Sequence, residues 1–449
     1  MKMHRRTWLH SAALTSTGLL FRQPLASASF AAPAAAPYSP KSSERIVFLG
    51  DSITQGGSYV AYLETLLRLR FAKQNLEIHN HGISSETISG TSEIDHNPRR
   101  PWAHERFTRD VTDWKPDTVF SCFGMNDGNY HPFDAEKFEK YQTGIKRLID
   151  RTLDKAKASR LFISTPPPYD AYQRKNGDPQ ATHYGYRYPY VNYDQTLEKY
   201  AQWLLTLKNQ GQMVVDLHGR LNSHLQARRQ KKVSFTMMPD AVHPNATGHA
   251  LMAIVIAEGI GLAGPRDTIE IDAADHSLKT THGKAEIHPD GNAMVIRWHV
   301  PAMWGFETNV EADSLTLEQV DTKFNQLQLR GKNVPGGKYR LIMPKSGNSP
   351  EMSRELTSAD LEKGILIDPP AAATAPERKA GLDFSNAVMK HRQAASAAWR
   401  SRAMKLPRDD PKRGPLAEEL AAEAKAAVEL SSQAAATLGP IEIRVSRIN

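Results

Sequence analysis

Four short stretches carry the residues whose types could do chemistry. They are "GDSIT" at 50–54, "NHGISSET" at 80–87, "GMND" at 124–127 and "DAVHPN" at 240–245. Together they hold a serine, an asparagine, an aspartate and a histidine, the set that ester hydrolysis needs. A serine hydroxyl is a poor nucleophile until a base takes its proton, and Ser52 is the candidate nucleophile. His243 can be the base, because imidazole titrates near neutral pH. Asp240, three residues earlier, can hold the ring tautomer and stabilise its charged form. The negative oxygen of the tetrahedral intermediate needs preplaced donors. The backbone N–H groups after Gly50 and around Ser84-Ser85, with the Asn126 amide, are the candidates.

These stretches work together only if the fold brings them to one place. From residue 45 to about 262, short apolar runs alternate with amphipathic ones. Strands are predicted at 45–50, 76–82, 117–124, 160–165 and 212–219, and helices at 58–74, 104–114, 134–158, 193–210 and 245–260. Val60, Leu63, Leu67 and Phe71 mark one helical face, and Asp134 and Asn245 are good N-caps. Such alternation argues for a parallel sheet covered by helices on both faces. All strand C-termini then lie on one edge, where ligands bind. Each of the four stretches follows a predicted strand or precedes the closing helix.

In this order and placement, the stretches resemble the four sequence blocks of the SGNH, or GDSL, hydrolase superfamily over roughly residues 44–263. The resemblance implies a flavodoxin-like α/β/α sandwich with a parallel sheet, and a secreted, cofactor-free serine esterase. By matching blocks, Ser52 corresponds to the nucleophile, Asn126 to an oxyanion donor, and Asp240 and His243 to the rest of a triad. The run "NHGISSETISGTSE…HERF…CFGMNDG" is similar to a bacterial subgroup that often has a β-rich C-terminal extension. One departure concerns the oxyanion hole of Ser52, Ser85 and Asn126. The family's glycine, five residues after the block's asparagine, is here Ser85.

Asp51, Asp127, Tyr184 and Tyr186 are candidate substrate contacts. The two tyrosines belong to "PPPYDAYQRKNGDPQATHYGYRYPYVN" (166–192), a long Pro-rich loop with six tyrosines. A loop of this length inside a compact domain is usually functional or disordered. Its rings either form a sugar or acyl-chain surface or pack against neighbouring structure.

Other classes lack their residues. G-x-S-x-G, H-E-x-x-H and Walker motifs are absent. His79 and His81 are read as pointing to opposite faces of a strand, so no metal pair is expected. The one cysteine, Cys122, lies in "TVFSCFG" and reads as a buried small hydrophobe. The formal charge of +8 is spread along the chain, without the patch a nucleic-acid binder concentrates. No stable membrane insertion is expected, since the apolar stretch near the N-terminus is broken by His10, Ser11 and Thr15.

Residues 1–36 read as an export signal. Arg5-Arg6 before Thr7, Trp8 and Leu9 resembles a twin-arginine signal, and an Ala/Ser/Pro-rich tail follows. A periplasmic or extracellular location follows from that reading. Residues 264–449 change texture and read as a smaller β-rich domain with a helical insertion at about 375–438. Hairpins are expected at 284–300 and within 325–344, and a last strand at 440–449. No catalytic motif stands out there. The expected function is a serine esterase, acting on acylated extracellular carbohydrate. A lipid or aryl esterase, or a glycan-binding protein with vestigial catalytic residues, is the alternative.

Overall fold

Every residue of 46–50 is buried, as a central strand of a sheet covered on both faces requires. The computed structural model describes residues 37–174, 180, 182–343, 351–370, 375–407, 410–436 and 440–448; the export signal lies outside them. The first half of the chain runs β1 (Ser43–Gly50), α1 (Ser52–Gly56), α2 (Ser58–Arg70), β2 (Asn75–Asn80), α3 (Ala103–Asp110), β3 (Thr118–Cys122), α4 (Ala135–Asp150), β4 (Arg160–Ser164), α5 (Tyr193–Thr206), β5 (Met213–Val215), α6 (Leu217–Lys231) and α7 (Ala246–Gly259). The five strands pair in parallel in the order β2-β1-β3-β4-β5. This is the flavodoxin-like order, with its switch point between β1 and β3. Two hydrophobic clusters hold the layers together, one on each face. Ile46, Phe48, Leu63 and Ile254 lie in one, and Leu49, Val119, Ile145 and Leu204 in the other. Cys122 is buried and free.

The second half runs β6 (Asp267–Asp272), β7 (Leu278–Thr280), β8 (Lys284–Asp290), β9 (Ala293–His299), α8 (Ala312–Leu317), β10 (Leu327–Lys332), β11 (Lys338–Met343), β12 (Met352–Thr357), α9 (Ser358–Lys363), β13 (Ile365–Ile367), α10 (Pro376–Lys405), α11 (Ala417–Ala435) and β14 (Ile441–Ile448). Two sheets, β13-β10-β6-β7 and β12-β11-β14-β9-β8, share one core that includes Ile269, Trp298, Leu327 and Ile443. Helices α10 and α11 leave this sandwich and pack on α2 and β2. They bury α2 on its outer side. Glu64 pairs with Arg68 at 2.7 Å and with Arg392 of α10 at 2.8 Å, all three fully buried. Burial opposes ionisation of Glu64, but the two guanidiniums win and hold its carboxyl below the usual range.

The structure departs from the sequence reading in four places. Residues 325–344 do supply two strands, but these form no hairpin: β10 joins β6 and β13, while β11 joins β12 and β14. Strand five ends at Val215, and α6, which was not expected, begins two residues later. Its buried positions include His218, His224 and Arg228, so its apolar periodicity is weak. Strands β6 and β7 were likewise missed. Finally, His79 and His81 do not face opposite ways. Residues two apart on a strand share a face, and the rings lie 5.8 Å apart beside Trp114. No group of three metal-ligating side chains occurs among the described residues.

Candidate active site

Strand β1 ends where Gly50 meets α1. A Cβ at Gly50 would lie 2.1 Å from Thr54 Oγ1 and 2.6 Å from the Cys122 carbonyl, so only glycine fits. The next residue, Asp51, caps α1 by accepting from the Ile53 N–H at 3.0 Å. That cap turns the chain and leaves Ser52 as the first helical residue, part-exposed at the sheet edge. Its own N–H lies in the first turn, where a helix has no internal acceptor.

His243 arrives from the other end of the domain. Asn245 caps α7 by accepting from the Gly248 N–H at 2.9 Å, which fixes the turn two residues earlier. His243 Nε2 lies 2.9 Å from Ser52 Oγ, and Nδ1 lies 2.7 Å from Asp240 Oδ2. The other Asp240 oxygen accepts the N–H groups of Val242 at 3.0 Å and His243 at 2.7 Å. Partial burial opposes the Asp240 charge, but these donors hold its carboxyl below the ordinary aspartate range. With Nδ1 facing a carboxylate, the tautomer that fits leaves Nε2 as an acceptor toward the serine. The His243 side chain is 38% exposed, so an incoming molecule can reach it.

The two remaining stretches are tied to the first by named hydrogen bonds. The Ile83 N–H donates to the Gly50 carbonyl at 3.0 Å, and the Ser84 N–H to Gln55 Oε1 at 2.8 Å. Gly82 passes so near α1 that a Cβ would sit 2.3 Å from the Gln55 nitrogen. Its place is therefore a close approach, which leaves Ser85 as the candidate donor. Ser85 has φ +63°, a left-handed conformation that favours glycine. Its N–H has no partner among the described residues. Asn126 is 3% exposed. Its Nδ2 donates to the Glu86 carbonyl at 3.1 Å, while its Oδ1 accepts from Tyr130 Oη at 3.0 Å. Those bonds fix the amide and leave one Nδ2 hydrogen over.

Two candidate substrate contacts are corrected. Asp51 and Asp127 are buried, at 2% and 0% exposure. Asp51 is the α1 cap, and Asp127 Oδ1 accepts the N–H groups of Ile88 at 2.9 Å and Ser89 at 2.8 Å. Both brace the rim and neither faces a ligand. Burial pushes their carboxyls up, to about 7 for Asp51 and about 6 for Asp127. The tyrosines divide. Tyr184 stacks on Tyr188 of the same loop at 5.8 Å and packs edge-on against His131, which follows the Asn126 stretch. Tyr186 is half-exposed, lies on Tyr130 at 5.4 Å and feels the Asp240 charge.

Arg100 is a rim residue that sequence reasoning missed. It pairs with Glu93 at 2.6 Å, donates to the Ser85 carbonyl at 3.3 Å and lies over Tyr130 at 5.6 Å. It thus braces both the Ser85 loop and, through Tyr130, the Asn126 amide. Its segment "NPRRPW" carries no motif that could have announced it.

The arrangement is that of a flavodoxin-like α/β domain with a serine, an imidazole and a carboxylate in one hydrogen-bonded row. Residues 48–251 match the GDSL-like Lipase/Acylhydrolase family. This domain belongs to that family, within the SGNH/GDSL superfamily, and is a carboxylic ester hydrolase of the serine type. An acetylxylan esterase from Geobacillus stearothermophilus is 24% identical over 242 residues, which are 49% of this chain and 95% of that protein. Among solved structures, a gut microbial diltiazem-metabolizing enzyme is similar with a TM-score of 0.59 at 18% identity. The match covers 92% of this chain and 99% of that one, so the likeness in fold extends through the C-terminal half. A catalytic mutant of an acetylxylan esterase from Geobacillus stearothermophilus, 24% identical, gives a TM-score of 0.36 over 49% of this chain and 94% of that one. No helix among the described residues is long and apolar enough to cross a membrane.

Proposed function

We propose that the chain removes short acyl groups, acetyl above all, from carbohydrate outside the cytoplasm, with Ser52, His243 and Asp240 as its triad. The observation that carries the triad is the row Ser52 Oγ–His243 Nε2 at 2.9 Å and His243 Nδ1–Asp240 Oδ2 at 2.7 Å. Ser52 Oγ attacks the ester carbonyl carbon as His243 Nε2 takes its proton. The carbonyl oxygen becomes negative and is met by the N–H groups of Ser52 and Ser85 and by Asn126 Nδ2. Collapse breaks the bond to the alcohol, which leaves with the proton from His243. Water, deprotonated by the same imidazole, then attacks the acyl-serine, and Ser52 recovers its proton as the acid departs.

The acylated-carbohydrate part is supported by the acetylxylan esterase relative and by the half-exposed Tyr186 beside the triad. The twin-arginine-like segment and the Ala/Ser/Pro-rich stretch after it support an exported enzyme. The test is a panel of p-nitrophenyl esters of rising acyl length beside acetylated xylan and acetylated monosaccharides. The proposal expects acetate release from the saccharides and a steep loss of rate beyond butyrate. Preference for long acyl chains, with no acetate released from any saccharide, would overturn it.

A further inference from the structure

Strand β2 is the outermost strand of the parallel sheet, with β1 on one side only. Helices α10 and α11 pack over it from the C-terminal half. Between them lies a cavity of about 570 Å³, inside the roughly 300–1,000 Å³ range of small-molecule sites. Neither Ser52, Asp240 nor His243 lines it.

Four of its lining residues carry a buried polar atom with no hydrogen-bond partner among the described residues. These atoms are His79 Nε2, Trp114 Nε1, Ser396 Oγ and Trp399 Nε1. The four residues are 6%, 1%, 5% and 2% exposed. Buried polar groups are paired almost everywhere in proteins, so four orphans around one cavity need a reason. The two indole N–H groups can only donate, and the serine hydroxyl can do either. An occupant must therefore bring acceptors.

Charge narrows the choice further. The guanidiniums that line the cavity are already matched. Arg392 is held by Glu64 at 2.8 Å and Glu423 at 2.9 Å, and Arg402 is paired with Glu419. His391 also faces Glu423, at 3.2 Å. Burial holds His79 and His81 well below the usual imidazole range, so both rings stay neutral. No uncompensated cation waits for an anion. At the outer edge stand Ala394, Ala398 and Ala422, exposed residues whose methyl side chains leave a way in. Ring edges, neutral unspent donors and the lack of a spare cation suit a molecule with many hydroxyls and no charge, since each hydroxyl both donates and accepts.

We propose that the cavity between β2, α10 and α11 is a second binding site, for an uncharged saccharide of one or two units, held by Trp114, Trp399, Ser396 and His79. The site is independent of the role given to Ser52. The test uses the full chain carrying Ser52→Ala, so that ester chemistry is silent. D-xylose, xylobiose and D-glucose are titrated by calorimetry and by tryptophan fluorescence, with sodium acetate as the anionic control. At least one sugar should bind saturably in the millimolar range with a change in tryptophan emission. Trp399→Phe keeps a ring but removes the N–H and should weaken binding about tenfold. Ala398→Leu narrows the entrance and should weaken it as much. Thermal melts of both variants verify the fold, and if Trp399→Phe fails to fold, Ala398→Leu decides alone. Lack of saturable binding by every sugar, binding untouched by the variants, or acetate binding that responds to them in the sugars' place would each overturn the proposal.

Discussion

Two Ser–His–carboxylate rows occur among the described residues, and only one sits at the sheet edge. In the second, His224 Nε2 lies 3.1 Å from Ser314 Oγ and Nδ1 lies 2.7 Å from Glu318 Oε1. Those distances nearly repeat the 2.9 and 2.7 Å of Ser52, His243 and Asp240. What differs is everything around them. Ser314 is 0% exposed, and the His224 side chain is 1% exposed against 38% for His243. The Ser314 N–H is spent on the Glu311 carbonyl at 3.0 Å, so it is not free for an oxyanion. The inner row joins α6 to α8, and Arg220 and Arg228 add ion pairs to Glu318, Glu311 and Asp313. On the proposed function, three residues in the right order are insufficient for hydrolysis. A triad also needs an open face and donors left over, which a strand exit followed by a fresh helix N-terminus supplies.

The widest separation between the rows should come from the serines. Ser52→Ala is expected to lower kcat about 10⁶-fold on p-nitrophenyl acetate. Ser314→Ala should leave kcat within twofold and instead lose about 1–2 kcal/mol of stability, because His224 Nε2 is left buried and unpaired. Denaturant unfolding of both variants reads the second half of the contrast.

The carboxylates come next. Asp240→Asn should cost about 10⁴ in kcat through the wrong tautomer and the lost charge, while Glu318→Gln should cost none. If Asp240 only braced the turn, Asp240→Asn would keep the rate.

The donors give smaller effects. Asn126→Ala should lower kcat about 10²–10³-fold with little change in KM. Ser85→Gly keeps the N–H and relieves a left-handed serine. It should hold kcat within about threefold and raise stability by about 0.5–1 kcal/mol. A large loss of rate in that variant would show that the Ser85 hydroxyl itself contacts substrate.

The smallest effect concerns Asp51. Folded, its carboxyl keeps a proton up to about pH 7; unfolded, an aspartate loses it near about 4. The native state therefore binds more protons between those values, and stability falls as pH rises through them. Asp51→Asn should remove this contribution. Its melting temperature relative to wild type should rise by on the order of 1–3 °C from pH 5 to pH 8.

Much of the outer row was legible in the sequence, and none of the inner one. Gly50, Asp51 and Ser52 follow an unbroken apolar run, and Asp240 and His243 stand just before a strong helix cap, so both announce strand or helix ends. His224 lies in α6, whose apolar periodicity is weak, Ser314 in the six-residue α8 and Glu318 at its C-cap, and they meet across 94 and 90 residues of chain. Arg100 escaped for the same reason, since its partners Glu93, Ser85 and Tyr130 are set by loop geometry. The five parallel strands were readable because buried strands are continuous apolar runs. The split of β10 and β11 between two sheets was not, because the Pro335-Gly336-Gly337 turn fits a hairpin as well as a crossing. Asp51 and Asp127 were misplaced as substrate contacts because sequence position reports nearness to a site but not burial.

The most direct measurement is covalent capture of the nucleophile. The full-length protein is treated with a fluorophosphonate, digested and mapped by mass spectrometry, alongside Ser52→Ala and Ser314→Ala. The account predicts one adduct, on Ser52, in the wild type and in Ser314→Ala, and none in Ser52→Ala, with esterase activity lost in step with labelling. An adduct on Ser314, or full labelling and turnover in Ser52→Ala, would contradict it.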